Sequence, residues 1–122
     1  MVFSEILDEK GLIKEIETGK YVLVLYYANW HDPCTKLRNH FDEHSSEINK
    51  ALAKKGIEKR VMLDCDHATW RLSKYQGSEG FHSIPTIKLY KDSIPYLESL
   101  IGNLEYSRFI RWIDDLPAVK SH

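Results

Sequence analysis

The sequence is poor in cysteine and has no long apolar run, and both absences exclude whole classes of protein. Two cysteines in 122 residues are too few for a disulfide-stapled secreted scaffold. No apolar stretch approaches the roughly 20 residues that a transmembrane helix requires. There is no excess of charge of one sign either, since 17 Lys and Arg face 18 Asp and Glu. The net charge of -1 therefore predicts neither a nucleic acid nor a membrane as partner.

The amino-terminal segment, MVFSEILDEK, also lacks the features of a signal peptide. It has no basic start, no apolar stretch and no small-residue cleavage site. We therefore expect a cytoplasmic location for the chain as given, and the lumen of the endoplasmic reticulum if it is a trimmed form. The length and the 43% of hydrophobic residues predict one soluble domain, residues 1–122, with one core.

The sequence pattern of the first half of the chain predicts a helix, a strand and a second helix. Ser4–Glu17 is expected to be helical, with Ser4 as its cap. Tyr21–Ala28 is an unbroken apolar run, which is typical of a central strand with helices on both faces. One long helix that ends at Gly56 is predicted next. Its apolar face consists of Cys34, Leu37, Phe41, Ile48 and Leu52.

The second half reads as a further strand and helix, a hairpin and a last helix. The predicted elements are a strand over Arg60–Asp66, a helix over Ala68–Tyr75, a loop over Gly77–Ser83, two strands over Thr86–Tyr90 and Tyr96–Ile101 joined by a turn at Lys91–Ser93, and a helix through Tyr106 and Ile113 that stops near Pro117. A parallel βαβ unit followed by an antiparallel ββα unit predicts an α/β fold. Its mixed, four-stranded sheet would be sandwiched by helices.

Three short motifs occur in order along this pattern. They are Tyr27–Trp30 followed directly by His31-Asp32-Pro33-Cys34, then Leu63-Asp64-Cys65-Asp66, and then Ile84-Pro85-Thr86. Together they resemble the thioredoxin superfamily, including the catalytic-type domains of protein disulfide isomerases, over about Ser4 to Leu116. The resemblance implies a thioredoxin fold, with Pro85 at the position of the family's cis-proline and with 31–34 in place of its Cys-x-x-Cys.

The sequence departs from that family at the positions that carry the redox chemistry. His31 stands where the family has its attacking cysteine, and only Cys34, at the resolving position, remains. By the same comparison, Leu25 replaces the buried acid that accepts the proton of the resolving thiol, and Met62 replaces the basic partner of that acid. The helix also has Asn39 where the family has a kinking proline. The resemblance therefore implies that ordinary dithiol–disulfide exchange is absent.

Two functions from different classes follow from the resemblance. The first is a peptide- or protein-binding, chaperone-like module of the disulfide-isomerase type. Its groove, formed by Trp30, His31, Cys34, Ile84 and Pro85, would take an extended partner segment. The alternative is a monothiol oxidoreductase in which Cys34, assisted by His31, exchanges with an external thiol such as glutathione. The monothiol function requires an exposed Cys34, whereas the binding function does not. The position of Cys34 on the apolar stripe favours a buried thiol.

Neither a cofactor nor a resident metal ion is expected. His40 and His44 are one helical turn apart, but no third ligand is evident beside them, so a solvated helix edge is the favoured reading. A site from His31, Cys34 and His82 is conceivable and ranks last. Cys65 is expected to be a structural thiol.

Overall fold

The computed structural model describes residues 2–6, 9–27, 32–64, 85–101 and 106–116. Their elements are β1 Ser4–Ile6, α1 Glu9–Thr18, β2 Tyr21–Tyr27, α2 Asp32–Glu43, α3 Ser45–Lys54, β3 Lys59–Asp64, β4 Thr86–Lys91, β5 Ile94–Ile101 and α4 Tyr106–Asp115. The predicted helix at 68–75 and loop at 77–83 fall outside these ranges. None of the described helices is long and apolar enough to cross a membrane.

The strands form one mixed sheet in the order β1-β3-β2-β4-β5. β1, β3 and β2 run parallel, while β4 is antiparallel to β2 and β5 is antiparallel to β4. β2 lies at the centre, and every residue from Val22 to Tyr27 is buried, as the unbroken apolar run predicts. The α/β class and the mixed sheet are thus confirmed. The expectation of four strands is wrong, because the described residues form five.

The additional strand comes from the segment predicted to start the first helix. Ser4–Ile6 is β1, which pairs with Val61–Leu63 of β3, and α1 begins only at Glu9. The edge of β3 offers unpaired backbone groups to this segment, and these bonds outweigh the weak helical periodicity of the first residues. Val2 and Phe3, just before the strand, are buried and anchor it to the core.

The long helix predicted from Cys34 to Leu52 is interrupted. His44 separates α2 from α3, with φ -116° and ψ 22°, outside the helical region. The interruption is small, because the amide of His44 still donates to the carbonyl of His40 at 3.0 Å and that of Ile48 to the carbonyl of His44 at 3.0 Å. All five residues of the predicted apolar stripe are buried. Periodicity therefore identified the buried face, although it gave no sign of the break.

The predicted hairpin is confirmed, with a longer second strand. β4 and β5 pair through a tight turn whose central residues, Asp92 and Ser93, both have positive φ, 51° and 70°. Two positive φ values in succession are characteristic of the type I′ turn, whose twist suits a two-residue hairpin. β5 begins directly after this turn, at Ile94 rather than at Tyr96.

The helices cover the two faces of the sheet. Lys59 of β3, the partner of Val22, forms an ion pair with Glu15 of α1 at 2.8 Å, so α1 lies over the face that carries Val22. The opposite face is covered by α2 and α4. There the ring of Phe41 lies 5.3 Å from that of Phe3 and 4.9 Å from that of Phe109.

Candidate functional site

The predicted site lies at one end of the central strands. Tyr26 pairs with Thr86, so the carboxyl end of β2 and the amino end of β4 meet at the same edge of the sheet. Pro85, which is buried, directly precedes β4 at this edge. After four residues that follow β2, the chain enters α2 at Asp32. The fold therefore brings the start of α2 and Pro85 to the same end of the molecule.

Cys34 lies in the first turn of α2 and is buried, with 1% of its surface exposed. Asp32, the acidic residue of that turn, is exposed, and Pro33 suits a helix start because its missing N–H leaves no bond unmade. The burial of Cys34 agrees with its place on the apolar stripe. A thiol in this environment cannot be reached by a bulky reagent unless the protein opens.

Leu25 and its two partners on the neighbouring strands have no titratable side chains. Leu25 pairs with Met62 of β3 on one side and with Ile87 of β4 on the other. Leu25 and Ile87 are fully buried, and Met62 is 7% exposed. Adjacent strand partners point to the same face, so the two residues assigned to the family's acid and its basic partner are direct neighbours. Neither can accept or deliver a proton.

A polar cluster that the sequence analysis did not identify lies on the same face. The Arg38 guanidinium lies over the Tyr27 ring, 4.9 Å from its centroid, and the Tyr27 hydroxyl donates to Glu5 Oε1 at 3.2 Å. Tyr27 itself is 3% exposed. Arg38 follows Cys34 by one helical turn, which places both residues on one side of α2. That spacing was visible in the sequence, but the contact with Tyr27 depends on how α2 packs.

The structure describes part of the predicted groove. Cys34 and Pro85 fall within the described residues, at the same end of the molecule. Trp30, His31 and Ile84 lie outside the described residues, as do Cys65 and His82. The roles assigned to these residues stay predictions.

Comparison with known proteins identifies the family of this chain. The family model described as Thioredoxin matches residues 4–115. The chain belongs to the thioredoxin family. Among curated relatives, thioredoxin from Rickettsia conorii is 28% identical over 111 residues, which are 91% of this chain and 95% of that protein. Thioredoxin from Rickettsia felis is 29% identical over the same shares of the two chains.

Solved structures support the thioredoxin fold. Plasmodium falciparum thioredoxin superposes with a TM-score of 0.67 at 20% identity, over 91% of this chain and 96% of that one. Chlamydomonas reinhardtii thioredoxin f2 gives a TM-score of 0.67 at 18% identity, over 92% and 94% of the two chains. At such identities the likeness concerns the fold. Within this thioredoxin fold, position 31 is a histidine and position 34 a buried cysteine.

Proposed function

We propose that this member of the thioredoxin family is a peptide- or protein-binding module of the disulfide-isomerase type that does not carry out dithiol exchange. Trp30, His31, Cys34, Ile84 and Pro85 line its groove, with Pro85 in the place of the family's cis-proline. An extended segment of the partner pairs its backbone with the chain at Pro85, and pockets receive its side chains. Aromatic residues such as Trp30 commonly carry most of the binding energy at such a surface.

The observation that carries the proposal is the environment of the remaining cysteine. Cys34 is 1% exposed. Leu25 and Met62, which the resemblance places at the positions of the family's buried acid and its basic partner, pair with each other and cannot accept a proton. A dithiol cycle needs a second thiol at position 31 to attack the substrate, and the residue there is His31. Binding requires neither a nucleophile nor a proton relay, so it is the family function that these replacements leave intact.

The rival function is that of a monothiol oxidoreductase. Cys34 lies in the first turn of α2, where unpaired backbone N–H groups stabilise a thiolate. In that cycle the Cys34 thiolate attacks a substrate disulfide and releases one substrate thiol. Glutathione then attacks the mixed disulfide, which restores Cys34 and leaves glutathione joined to the other substrate sulfur. The step needs Cys34 to reach the substrate, and its burial argues against this.

A binding measurement tests the proposal directly. The probe is a fluorescent, carboxymethylated insulin B chain, whose blocked cysteines cannot form a mixed disulfide. Fluorescence anisotropy should detect binding that Trp30→Ala weakens at least about tenfold, in the range of a hot-spot truncation. Ile94→Ala is the matched control, because Ile94 is 65% exposed and its strand partner Lys91 faces Tyr21, at the opposite end of the sheet. Equal loss in both variants, or no binding, contradicts the proposal.

An insulin-reduction assay separates the two functions. With glutathione as electron donor, the wild-type chain and Cys34→Ser should both show only the background rate. The His31→Cys variant provides the positive control, since it supplies the missing thiol. Turnover by the wild type that Cys34→Ser abolishes would establish the monothiol reaction instead.

A further inference from the structure

Three potential metal ligands converge where α2 meets α3. His40, Glu43 and His44 each offer one ligand atom, and these atoms all lie within 4.8 Å of one another. The two imidazole rings are stacked, with their centroids 6.4 Å apart and their planes 18° from parallel. Within the ranges that the structure describes, this is the one group of three or more such side chains close enough to share an ion.

The backbone explains why the three side chains meet. Residues three and four apart lie on one face of a helix, so Glu43 and His44 both come one turn after His40. The break at His44 does not disrupt this geometry, because the amide of His44 still bonds to the carbonyl of His40 at 3.0 Å. Glu43 is thus a third potential ligand beside the histidine pair, which the i, i+3, i+4 spacing already contains.

We propose that His40, Glu43 and His44 form a binding site for Zn²⁺, with water in the fourth position. Two imidazoles and one carboxylate are a donor set that zinc accepts in tetrahedral geometry. At a Zn–N distance of 2.0–2.1 Å, tetrahedral ligand atoms are separated by about 3.3 Å. The ligand atoms must therefore approach one another by up to about 1.5 Å. The two nearly parallel imidazole rings must also turn about their side-chain bonds so that both lone pairs point at one ion.

The charges around the site are mixed. Asp42 and Glu47 are exposed acids that flank the ligands in sequence, and the exposed Lys36 lies one turn before His40. The ligand set and its geometry therefore carry the proposal, and the net charge of the surroundings does not. Because His40 and Glu43 belong to α2 and His44 directly precedes α3, the ion would also stabilise the junction of the two helices.

The zinc site is separate from the proposed groove. Glu43 is the last residue of α2, and Cys34 lies in its first turn. At 1.5 Å of rise per residue, they are about 13 Å apart along the helix axis. Zinc binding and peptide binding are thus independent properties, and either can fail in experiment without the other.

Isothermal titration of the full chain with zinc chloride tests the proposal. We expect one zinc ion per chain in the wild type. Removal of a ligand's hydrogen-bonding partner typically lowers metal affinity 10- to 100-fold, so loss of a ligand itself should cost at least about tenfold. Glu43→Gln and His40→Gln should both show that loss. Glu47→Gln, the same change one turn away, should bind zinc like the wild type.

Thermal denaturation provides a second readout. A ligand that binds only the folded state raises the melting temperature, so zinc should raise that of the wild type and of Glu47→Gln, and a chelator should reverse the effect. His44→Gln should show no shift. If His44→Gln fails to fold, the exposed Glu43→Gln variant decides. Absence of zinc binding by the wild type, or binding that survives both Glu43→Gln and His40→Gln, overturns the proposal. So does binding lost instead in His31→Gln or Cys34→Ser.

Discussion

At the scale of single residues, a pair of buried tyrosines stands out on the face of the sheet under α1. The hydroxyl oxygens of Tyr26 and Tyr90 are 2.7 Å apart, within hydrogen-bond distance, and both residues are fully buried. Thr86 and Lys88, also buried, point to the same face of β4. Burial raises the pKa of Tyr90 far above its ordinary value of 10, although the hydrogen bond with Tyr26 opposes part of that shift.

The raised pKa of Tyr90 predicts a loss of stability at alkaline pH. Above pH 10 the unfolded tyrosine releases its proton while the folded one retains it, so the unfolded state binds fewer protons and the free energy of unfolding falls as pH rises. Tyr90→Phe should make this fall less steep in urea melts between pH 9 and about 11. At pH 7 the same change should cost about 1–2 kcal/mol, because the Tyr26 hydroxyl loses a partner.

Tyr96→Phe is the control for that prediction. Tyr96 is only partly buried, and its ring lies near Lys91 at 5.2 Å. Its replacement leaves the Tyr26–Tyr90 pair intact, so the contribution of Tyr90 to the loss of stability at alkaline pH should remain. An equal slope for the wild type and Tyr90→Phe would mean that Tyr90 ionises in the folded protein as it does in the unfolded chain.

Residue identities alone predict some of these features and not others. The burial of Cys34 followed from its spacing to Leu37 and Phe41, which depends on helix geometry only. The contact of Tyr26 with Tyr90 joins residues 64 apart in sequence and depends on the register of β2 against β4. A continuous apolar run does not encode that register, because both faces of the strand are buried.

At the scale of elements, the end of α3 has the complete hydrogen-bond pattern of a Schellman motif. The amide of Gly56 donates to the carbonyl of Ala53 and that of Ile57 to the carbonyl of Leu52, each at 2.9 Å. Gly56 has φ 83°, and the side chains of Ile57 and Leu52 are both fully buried. This is the arrangement in which a left-handed residue satisfies the last carbonyls of a helix. Gly56 therefore ends the helix, as the sequence predicts.

Gly56→Ala should lower the free energy of unfolding by about 1–2 kcal/mol, because a Cβ is strained at a positive φ. Gly56→Asn should cost less, since asparagine tolerates this region better than alanine does. Urea denaturation of the two variants beside the wild type measures the order. Equal losses would indicate that the site rejects any side chain for lack of space rather than for its backbone angle.

A substitution in the β4–β5 turn should instead raise the stability of the protein. Ser93 has φ 70° in the second position of the turn, where glycine is the preferred residue of type I′ hairpins. Ser93→Gly should raise stability by up to about 1 kcal/mol, because the left-handed strain is relieved. That gain should outweigh the added freedom of the unfolded chain and the loss of the long, 3.5 Å hydrogen bond from the Ser93 hydroxyl to the Ile16 carbonyl. Ser46→Gly, at an exposed position of α3, should instead lower stability. Thermal denaturation of both variants measures whether stability rises in one and falls in the other. A lower melting temperature for Ser93→Gly would contradict the prediction that Ser93 is strained.

Elements were predictable from sequence wherever local chemistry decides them. The turn at Asp92 and the end of α3 at Gly56 carry residues that tolerate or prefer positive φ, and both were located. β1 is not predictable because three residues are too few to show an alternation of apolar and polar side chains. Their strand conformation comes from pairing with β3, more than 50 residues later. The break at His44 was missed because no proline or glycine marks it.

At the scale of the whole molecule, aromatic residues connect the amino terminus to the last helix. Phe3 packs on Phe41 of α2, Phe41 packs on Phe109 of α4, and the rings of Phe109 and Trp112 are stacked at 6.3 Å. Offset and tilted ring pairs add to the energy of burial. These contacts join segments from both ends of the chain on the face that carries α2, and thus hold the helix on which Cys34 and the proposed zinc ligands lie.

The position of Phe3 in this chain of rings predicts that the amino-terminal segment belongs to the cooperative core. Phe3 is 3% exposed although it is the second of the described residues. Phe3→Ala should lower the free energy of unfolding by about 3–5 kcal/mol, the range for a buried phenylalanine. This would be a large part of the total for a domain whose stability is about 5–15 kcal/mol. Urea denaturation followed by circular dichroism gives the value.

Ser4→Ala, beside it on the exposed side of β1, should change stability by no more than about 0.5 kcal/mol. Phe3→Leu should fall between the two, since it keeps most of the buried volume but loses the ring contact with Phe41. A loss below about 1 kcal/mol for Phe3→Ala would mean that β1 opens separately from the rest of the sheet. A loss of about 3–5 kcal/mol for Phe3→Ala would instead show that β1 and the α2 face unfold as one unit.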